Sequence, residues 1–389
     1  MKSNEADIYS FQTAGKILVG KDATRQIGRE AKNYGFQKVL IITDENVYNA
    51  GLTQSTEESL SSQGIIVKVW SRAEPEPTIT SMKDCFRDVK DYDTDLIVGI
   101  GGGSPMDTAK VISTKYTNPK PIEEFIGTEQ IDEPGIPTIL VPTTAGTGSE
   151  VTPNAIVTDE KDGLKKGIVS HYLFSNVAVI DPLMTLTLPP KLTASSGVDA
   201  LAHSVESFIS VNSNTISDMF ALKSIELITS SIEEAYENGG NIRAREAMLL
   251  GSMLGGMAMT IAGTTAVHAL AYPLGGKFDV PHGVATASLL PYVMDYNKRE
   301  TVDEFFKIAG IIGLPTKGDD KATTASAVVD FFHELNRKLN IPKSISEFGV
   351  QEDDLDELAE AAKGIKRLLK NYPLDLNIKE IRDIYHKAL

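Results

Sequence analysis

The stretch Asp95-Leu96-Ile97-Val98-Gly99-Ile100-Gly101-Gly102-Gly103-Ser104-Pro105-Met106-Asp107-Thr108-Ala109-Lys110 decides how the first half of this chain is read. Branched apolar residues run into three consecutive glycines, then into a serine, a proline and an aspartate. The spacing predicts a buried strand over 95–100 and a crossover helix after it. Glycines let the backbone turn tightly and keep side chains out of the way of a ligand approaching the amides. Ser104 is expected to cap a helix whose first position is Pro105, with Asp107 completing a box-like start. Such a start aims free amides and the positive end of the helix dipole at a phosphate. The plain alternative is a strand-to-helix turn, for which one glycine suffices. The spacing differs from Gly-x-Gly-x-x-Gly, and the loop follows the third apolar run, not the first.

The same alternation extends outward. Val39-Leu40-Ile41-Ile42-Thr43 and Ile65-Ile66-Val67-Lys68-Val69 precede the loop, and apolar runs at 136–141 and 177–180 follow it, separated by helix-length segments. Buried parallel strands with crossover helices describe this pattern, so residues 1–188 are expected to form an α/β N-terminal domain with a doubly wound parallel sheet. After Thr187-Leu188-Pro189-Pro190 the strand-like runs cease. Met219, Leu222, Ile225, Ile228 and Ile232 recur at helical intervals before Gly239-Gly240, and helices are also predicted at 326–339, 356–369 and 378–389. Residues 189–389 are therefore expected to be an all-α C-terminal domain. Two domains suit 389 residues, at about 150 residues each.

Lys plus Arg number 38 against 53 Asp plus Glu, a formal charge of −15 that disfavours nucleic acid and anionic bilayers as partners. The single cysteine, Cys85, excludes an internal disulfide and a cysteine-clustered metal site, and favours a reducing compartment, the cytoplasm. The acidic start Met1-Lys2-Ser3-Asn4-Glu5-Ala6-Asp7 shows no export signal. Residues 247–276 carry no charge, but Gly251, Gly255, Gly256, Gly263 and Pro273 interrupt them, so the reading is a buried helix pair and not a membrane anchor.

Asp44 ends the Val39 run, where a carboxylate accepts hydrogen bonds from an adenosine ribose and repels a 2′-phosphate, which favours NAD over NADP. A turn or helix-cap aspartate is the equal alternative. A second polar loop, Pro142-Thr143-Thr144-Ala145-Gly146-Thr147-Gly148-Ser149-Glu150, offers hydroxyls and amides at the same sheet edge, and two such loops favour one nucleotide site.

In the second half, Asp199 and His203 are four apart, on one helix face. His268 is placed just before Pro273-Leu274-Gly275-Gly276 is expected to end its helix, and His282 follows Pro281 at the start of the next. Taken singly, each is more simply a surface pair or a satisfied core histidine. Taken together, three of the chain's six histidines fall with an aspartate in its least charged region, and buried ionisable groups are costly unless paired or metal-bound. Imidazole and carboxylate suit iron(II) or zinc, which ligand type alone does not separate. Such an ion has room for the oxygen of an alcohol or aldehyde as a further ligand, where a Lewis acid assists hydride exchange with a nicotinamide; the cleft between the halves is the expected meeting place.

These residues resemble the iron-containing, group III alcohol dehydrogenase family. The matching pieces are Gly101-Gly102-Gly103-Ser104-Pro105-x-Asp107-x-x-Lys110, the 142–150 loop, Gly197-Val198-Asp199-Ala200-Leu201-x-His203, and His268-x13-His282-Gly283, in order over most of the chain. The resemblance implies the dehydroquinate synthase-like/iron-dependent alcohol dehydrogenase fold, with a dinucleotide-binding first domain and a metal-binding second one. It implies an NAD(P)-linked oxidoreductase acting on a small primary alcohol or aldehyde, with Asp199, His203, His268 and His282 as metal ligands, Fe2+ before Zn2+. It further implies Gly101, Gly102, Gly103, Ser104 and Asp107 around the pyrophosphate, Thr143, Thr144 and Thr147 beside the cofactor, Asp44 at the ribose, Asn154 and Lys165 on the nicotinamide side, and a homodimer. Where many members carry another histidine four residues after the third ligand, this chain has Tyr272, a poor base at neutral pH. No catalytic residue is assigned beyond the metal site. Two alternatives remain: a lyase resembling dehydroquinate synthase, whose metal site resembles one carboxylate plus two histidines, and a nucleotide-binding scaffold without chemistry.

Overall fold

Strand β4 (Leu96–Gly101) is buried along its whole length in a six-stranded parallel sheet. A computed structural model describes residues 8–161, 163–316 and 320–389. The acidic start discussed above lies outside the described residues. Two compact units result, one of Thr13–Leu188 with Gly239–Leu249, the other of Pro189–Asn238 and Leu250–Leu389 with the described residues up to Gln12.

In the first unit the sheet contains β1 (Ile17–Val19), β2 (Lys38–Ile42), β3 (Ile66–Trp70), β4, β6 (Thr138–Pro142) and β9 (Val177–Ile180), in the order β1-β9-β6-β4-β2-β3. Each inner strand is apolar on both faces because both are covered. Val39, Ile41, Val98 and Ile100 pack with Ile27, Ala31 and Leu60 of the helices Ile27–Asn33 and Gln54–Ser62. Their neighbours Leu40, Ile42 and Ile97 pack with Cys85 and Val89 of Ile79–Val89 and with Met106, Ala109 and Ile112 of Gly103–Thr117. The period-two alternation of the strands thus feeds two separate cores. From β2 the chain runs to the edge strand β3, then returns past β2 to β4 and onward to β6 and β9. This reversal lies between β2 and β4, and at such a switch point the carboxyl ends of the strands flank the ligand crevice of an open α/β sheet.

Strand numbering corrects the expectation. The triple-glycine loop follows the fourth strand and the Thr143 loop the sixth, because β1 is a three-residue, half-exposed edge strand and β5 (Gly127–Thr128) has two residues. A second, three-stranded sheet, β5-β8-β7, was not anticipated. In it β7 (Asn154–Asp159) pairs antiparallel with β8 (Leu164–Val169), and β7 offers only the three-residue apolar run Ala155-Ile156-Val157, too short to mark a strand.

The second unit is helical. Its helix Pro190–Ile209 opens on Pro190 at a first-turn position, where the missing N–H has no partner to lose. The periodic run from Met219 to Ile232 is two helices, Thr215–Thr229 and Ile232–Glu237, with Met219 60% exposed. The helix expected over 356–369 breaks at Ile365 into Leu355–Gly364 and Lys366–Leu369. The uncharged 247–276 segment is bent by 104° between Ile242–Ala262 and Ala266–Phe278, and among the described residues no single helix is long and apolar enough to cross a membrane.

Candidate functional site

Helix Pro190–Ile209 carries Asp199, His203 and Glu206 at i, i+4 and i+7, one face of a helix, and all three are buried. His268 and His282 come to this face from two helix starts. Ala266–Phe278 does not end at Pro273 but runs on to Phe278, so His268 is in its first turn and not near its end. His282 opens the helix His282–Asn297. Gly283 permits that approach, since a Cβ there would stand 2.9 Å from the Ser195 carbonyl oxygen and 3.6 Å from the Asp199 Cβ.

Asp199, His268 and His282 each offer a ligand atom within 4.8 Å of the others. Asp199 Oδ1 is 3.6 Å from His268 Nε2 and 3.8 Å from His282 Nε2, too far for hydrogen bonds. Two donors bound at about 2.1 Å to one ion stand roughly 3–4 Å apart. His203 stacks on His268 with ring centroids 4.5 Å apart. The decisive observation is that His268 Nε2 is buried with no hydrogen-bond partner while its Nδ1 is bonded to Glu206. An orphaned buried nitrogen facing a carboxylate and a second imidazole fits a cation. Burial works against the Asp199 carboxylate, but His203, His282 and His268, with the Thr286 hydroxyl donating at 2.7 Å, outweigh it and hold its pKa at about 2. A metal ligand at this position must be an ionised carboxylate, and the Thr286 hydroxyl donates to that form.

Beside it, the Tyr272 ring lies 5.6 Å from that of His282. Burial raises the phenol's pKa, although the positive charge of Arg367 pulls the other way, so Tyr272 is no proton acceptor at neutral pH.

In the first unit, the carboxyl ends of β2, β4 and β6 carry Asp44, the 101–104 loop and the Thr143 loop side by side. The helix start differs from expectation. Its cap is Gly102, its first residue Gly103, and no side chain caps it. Ser104 instead accepts a hydrogen bond from the Glu76 amide at 3.1 Å. Asp107 completes no box: its oxygens accept from the Ser149 hydroxyl at 2.6 Å and the Ile156 amide at 2.9 Å. Gly103 takes the helical position ahead of the Ser-Pro pair, and the uncapped first-turn amides fit an anion. Two of the three glycines answer internal packing. A Cβ on Gly101, whose φ is +154°, would meet Pro105 at 2.5 Å, and one on Gly103 would meet Thr147 at 2.9 Å.

Asp44 caps the helix Glu45–Asn49, its Oδ1 accepting from the Val47 amide at 2.9 Å. The Thr143 amide bonds to the Gly101 carbonyl at 2.8 Å, and the Thr147 hydroxyl accepts from the Ser149 amide at 3.2 Å. Thr144 lies 3.5 Å from where a Gly102 Cβ would be. Lys165 pairs with Glu76 at 2.6 Å, which joins it through the Glu76 backbone to Ser104; its neighbour Lys166 pairs with Asp159. Asn154 is held by its carbonyl, which accepts from Lys110 at 2.8 Å.

Four residues of these sites were not given a role from the sequence. Glu206 stands three residues after His203 and Thr286 four after His282, helical spacings that could have revealed both. Lys110 is in the motif, but nothing in its spacing shows that it is fully buried. Glu76, with φ +52°, has no sequence signal beyond lying between Pro75 and Pro77.

Burial raises the Glu150 pKa to about 7, against a smaller opposing pull from Lys110. From the ordinary carboxylate range up to that value the folded chain holds a proton that the unfolded chain lacks, so this group's contribution to stability falls as pH rises through the window. Glu150→Gln is expected to flatten that slope and to gain on the order of 2–3 kcal/mol over wild type at pH ~8, with little change at pH ~4. Denaturant midpoints of both proteins across this range measure it; parallel profiles would contradict it.

Residues 14–182 match the family described as iron-containing alcohol dehydrogenase, and residues 193–389 its C-terminal counterpart, the Fe-containing alcohol dehydrogenase family, C-terminal. A sulfoacetaldehyde reductase of Bilophila wadsworthia is 35% identical over 371 residues, 94% of this chain and 95% of the relative. Among solved structures, an alcohol dehydrogenase from Oenococcus oeni superposes with a TM-score of 0.95 at 36% identity, covering 98% of this chain and 100% of that one. The sulfoacetaldehyde reductase of Bifidobacterium kashiwanohense, solved in complex with NAD+, gives 0.90 at 28% identity, covering 98% and 99%. Matches of this extent over both the sheet unit and the helical unit place the chain in the iron-containing alcohol dehydrogenase family, oxidoreductases acting on the CH–OH group of their donors.

Proposed function

We propose that this chain exchanges hydride between NAD and a small primary alcohol or aldehyde, with a divalent ion, iron before zinc, held by Asp199, His203, His268 and His282. The orphaned Nε2 of His268, 3.6 Å from Asp199, is the observation that carries this reading. When bound, the ion supplies Lewis-acid stabilisation of charge on the substrate oxygen, and the nicotinamide supplies or accepts the hydride.

The chain's own groups do the rest. First-turn amides of Gly103–Thr117 and the hydroxyls of Ser104, Thr143, Thr144 and Thr147 receive the pyrophosphate side, with Gly101, Gly102 and Gly103 giving it access. Asp107 acts from behind, through Ser149 and Ile156. The free oxygen of the capping Asp44 meets the ribose, and Asn154 and Lys165 serve the nicotinamide side. Arg367, whose charge acts on the Tyr272 phenol beside His282, is the cation we assign to an anionic tail on the aldehyde, in keeping with relatives named sulfoacetaldehyde reductases. The domains are read as 1–188 and 189–389, the assembly as a homodimer, and the compartment as the cytoplasm.

The test is a screen of neutral and anionic short aldehydes with NADH, metal content being measured on the same preparation. Net NADH consumption that is lost on chelation and restored by iron or zinc is expected. A metal-loaded protein that consumes no NADH with any aldehyde would refute the proposal. The lyase alternative returns its cofactor unchanged, and the family match over both units does not favour it.

A further inference from the structure

We infer that Glu206 is a positioning residue of the metal centre, fixing His268 in the tautomer that carries its proton on Nδ1 and turns the Nε2 lone pair toward the ion. This inference rests on the metal reading above.

Glu206 is wholly buried, and each of its oxygens has a separate task. Oε1 accepts from the Thr265 amide at 3.0 Å, the Thr265 hydroxyl at 2.7 Å and the Val267 amide at 2.8 Å. Thr265 is the cap residue of Ala266–Phe278 and does not cap that helix with its own side chain, so Glu206 supplies the acceptor from a distant helix. A carboxylate at a helix amino end is also favoured by the dipole. Oε2 bonds to His268 Nδ1. One side chain therefore fixes both where the first turn of this helix sits and which ring nitrogen of His268 bears the proton. An ionised carboxylate only accepts, so the proton must lie on Nδ1. The remaining nitrogen, Nε2, is the one left without a partner beside Asp199 and His282. Glu206 also adds a second buried negative charge to that of Asp199, and two carboxylates balance a divalent ion.

The isosteric variant Glu206→Gln tests the tautomer directly. Three donors converge on Oε1, two of them backbone N–H groups with nothing to accept, so the amide oxygen must take that place. The NH2 then faces Nδ1 and donates to it, which moves the imidazole proton to Nε2 and points it where the ion belongs. The probe is Zn2+, competed against a chelator, with thermal unfolding of the metal-free protein as the control for folding. Glu206→Gln is expected to bind zinc roughly tenfold to a hundredfold more weakly while its metal-free melting temperature stays near that of wild type. A folded variant that binds zinc as tightly as wild type would overturn the inference.

Should the variant not fold, 15N spectra of histidine-labelled, zinc-loaded wild type decide the matter. The expected result is a proton on His268 Nδ1 and metal on Nε2, and the reverse assignment overturns the inference. Failure of the underlying reading has a different signature, because wild type itself would then take up no stoichiometric zinc or iron.

Discussion

His282→Ala is expected to lower kcat/KM for aldehyde reduction by about a thousandfold or more while the protein stays folded. Stabilising developing charge on a carbonyl oxygen is worth several kcal/mol when a divalent ion is bound, and each ~1.4 kcal/mol is a factor of ten. His282 is the ligand whose removal perturbs the fold least. Its side chain is 27% exposed, against 3% for His268 and 4% for Asp199, and it opens a helix instead of lying within one.

His268→Ala should lose as much turnover and much more stability, because it leaves the fully buried Glu206 carboxylate without its imidazole. Breaking a buried pair from one side costs about 3–5 kcal/mol. The comparison therefore separates the chemical from the structural role of the cluster. It is read from kcat/KM, bound metal and the denaturant midpoint of each variant, with NADH affinity as the control, since the residues proposed for NADH lie in the sheet unit. A folded His282→Ala protein with wild-type turnover would remove the metal centre from the reaction.

How far each part could be read from sequence follows from the kind of signal it leaves. The inner strands were legible because both faces are buried and their residues are uniformly apolar, as at Val39-Leu40-Ile41-Ile42. The β7–β8 hairpin was not, because polar Asn154, Thr158 and Asp159 flank a run of only three apolar residues, Ala155-Ile156-Val157. Asp199, His203, His268 and His282 stood out because histidine is rare in this chain and the surrounding sequence lacks charge. What orients them was hidden. Glu206 reaches a backbone start 59 residues away, and no local pattern encodes such a contact.

Two helix ends differ from the sequence expectation for one reason. Ser104-Pro105 and Pro273-Leu274-Gly275-Gly276 carry the local chemistry of a start and a stop, yet the helices extend past both. In the first case Gly103 takes the first helical position, and in the second the helix continues although Pro273 donates no hydrogen bond.

Lys110→Met carries the second large expected effect. The ammonium of Lys110 is fully buried and donates to the Ser149 hydroxyl at 2.8 Å, the Thr152 carbonyl at 3.0 Å and the Asn154 carbonyl at 2.8 Å, with Asp107 Oδ1 3.9 Å away. Burial lowers its pKa to about 8, while Asp107 and Glu150 pull upward, so at neutral pH it is the cation opposite those two carboxyl groups. A methionine fills similar space but leaves two carbonyls without their donor and Asp107 without a counter-charge, a loss of about 3–5 kcal/mol. The same contacts tie the end of the Thr143 loop and the start of β7 to Gly103–Thr117, so NADH affinity should fall as well. Adding Asp107→Asn removes the stranded charge, and the double variant should be more stable than the sum of the single losses by on the order of 2 kcal/mol. Denaturant midpoints of the four proteins give this coupling. Strict additivity would mean that Lys110 holds the loop through its hydrogen bonds alone and that the buried charges do not depend on one another.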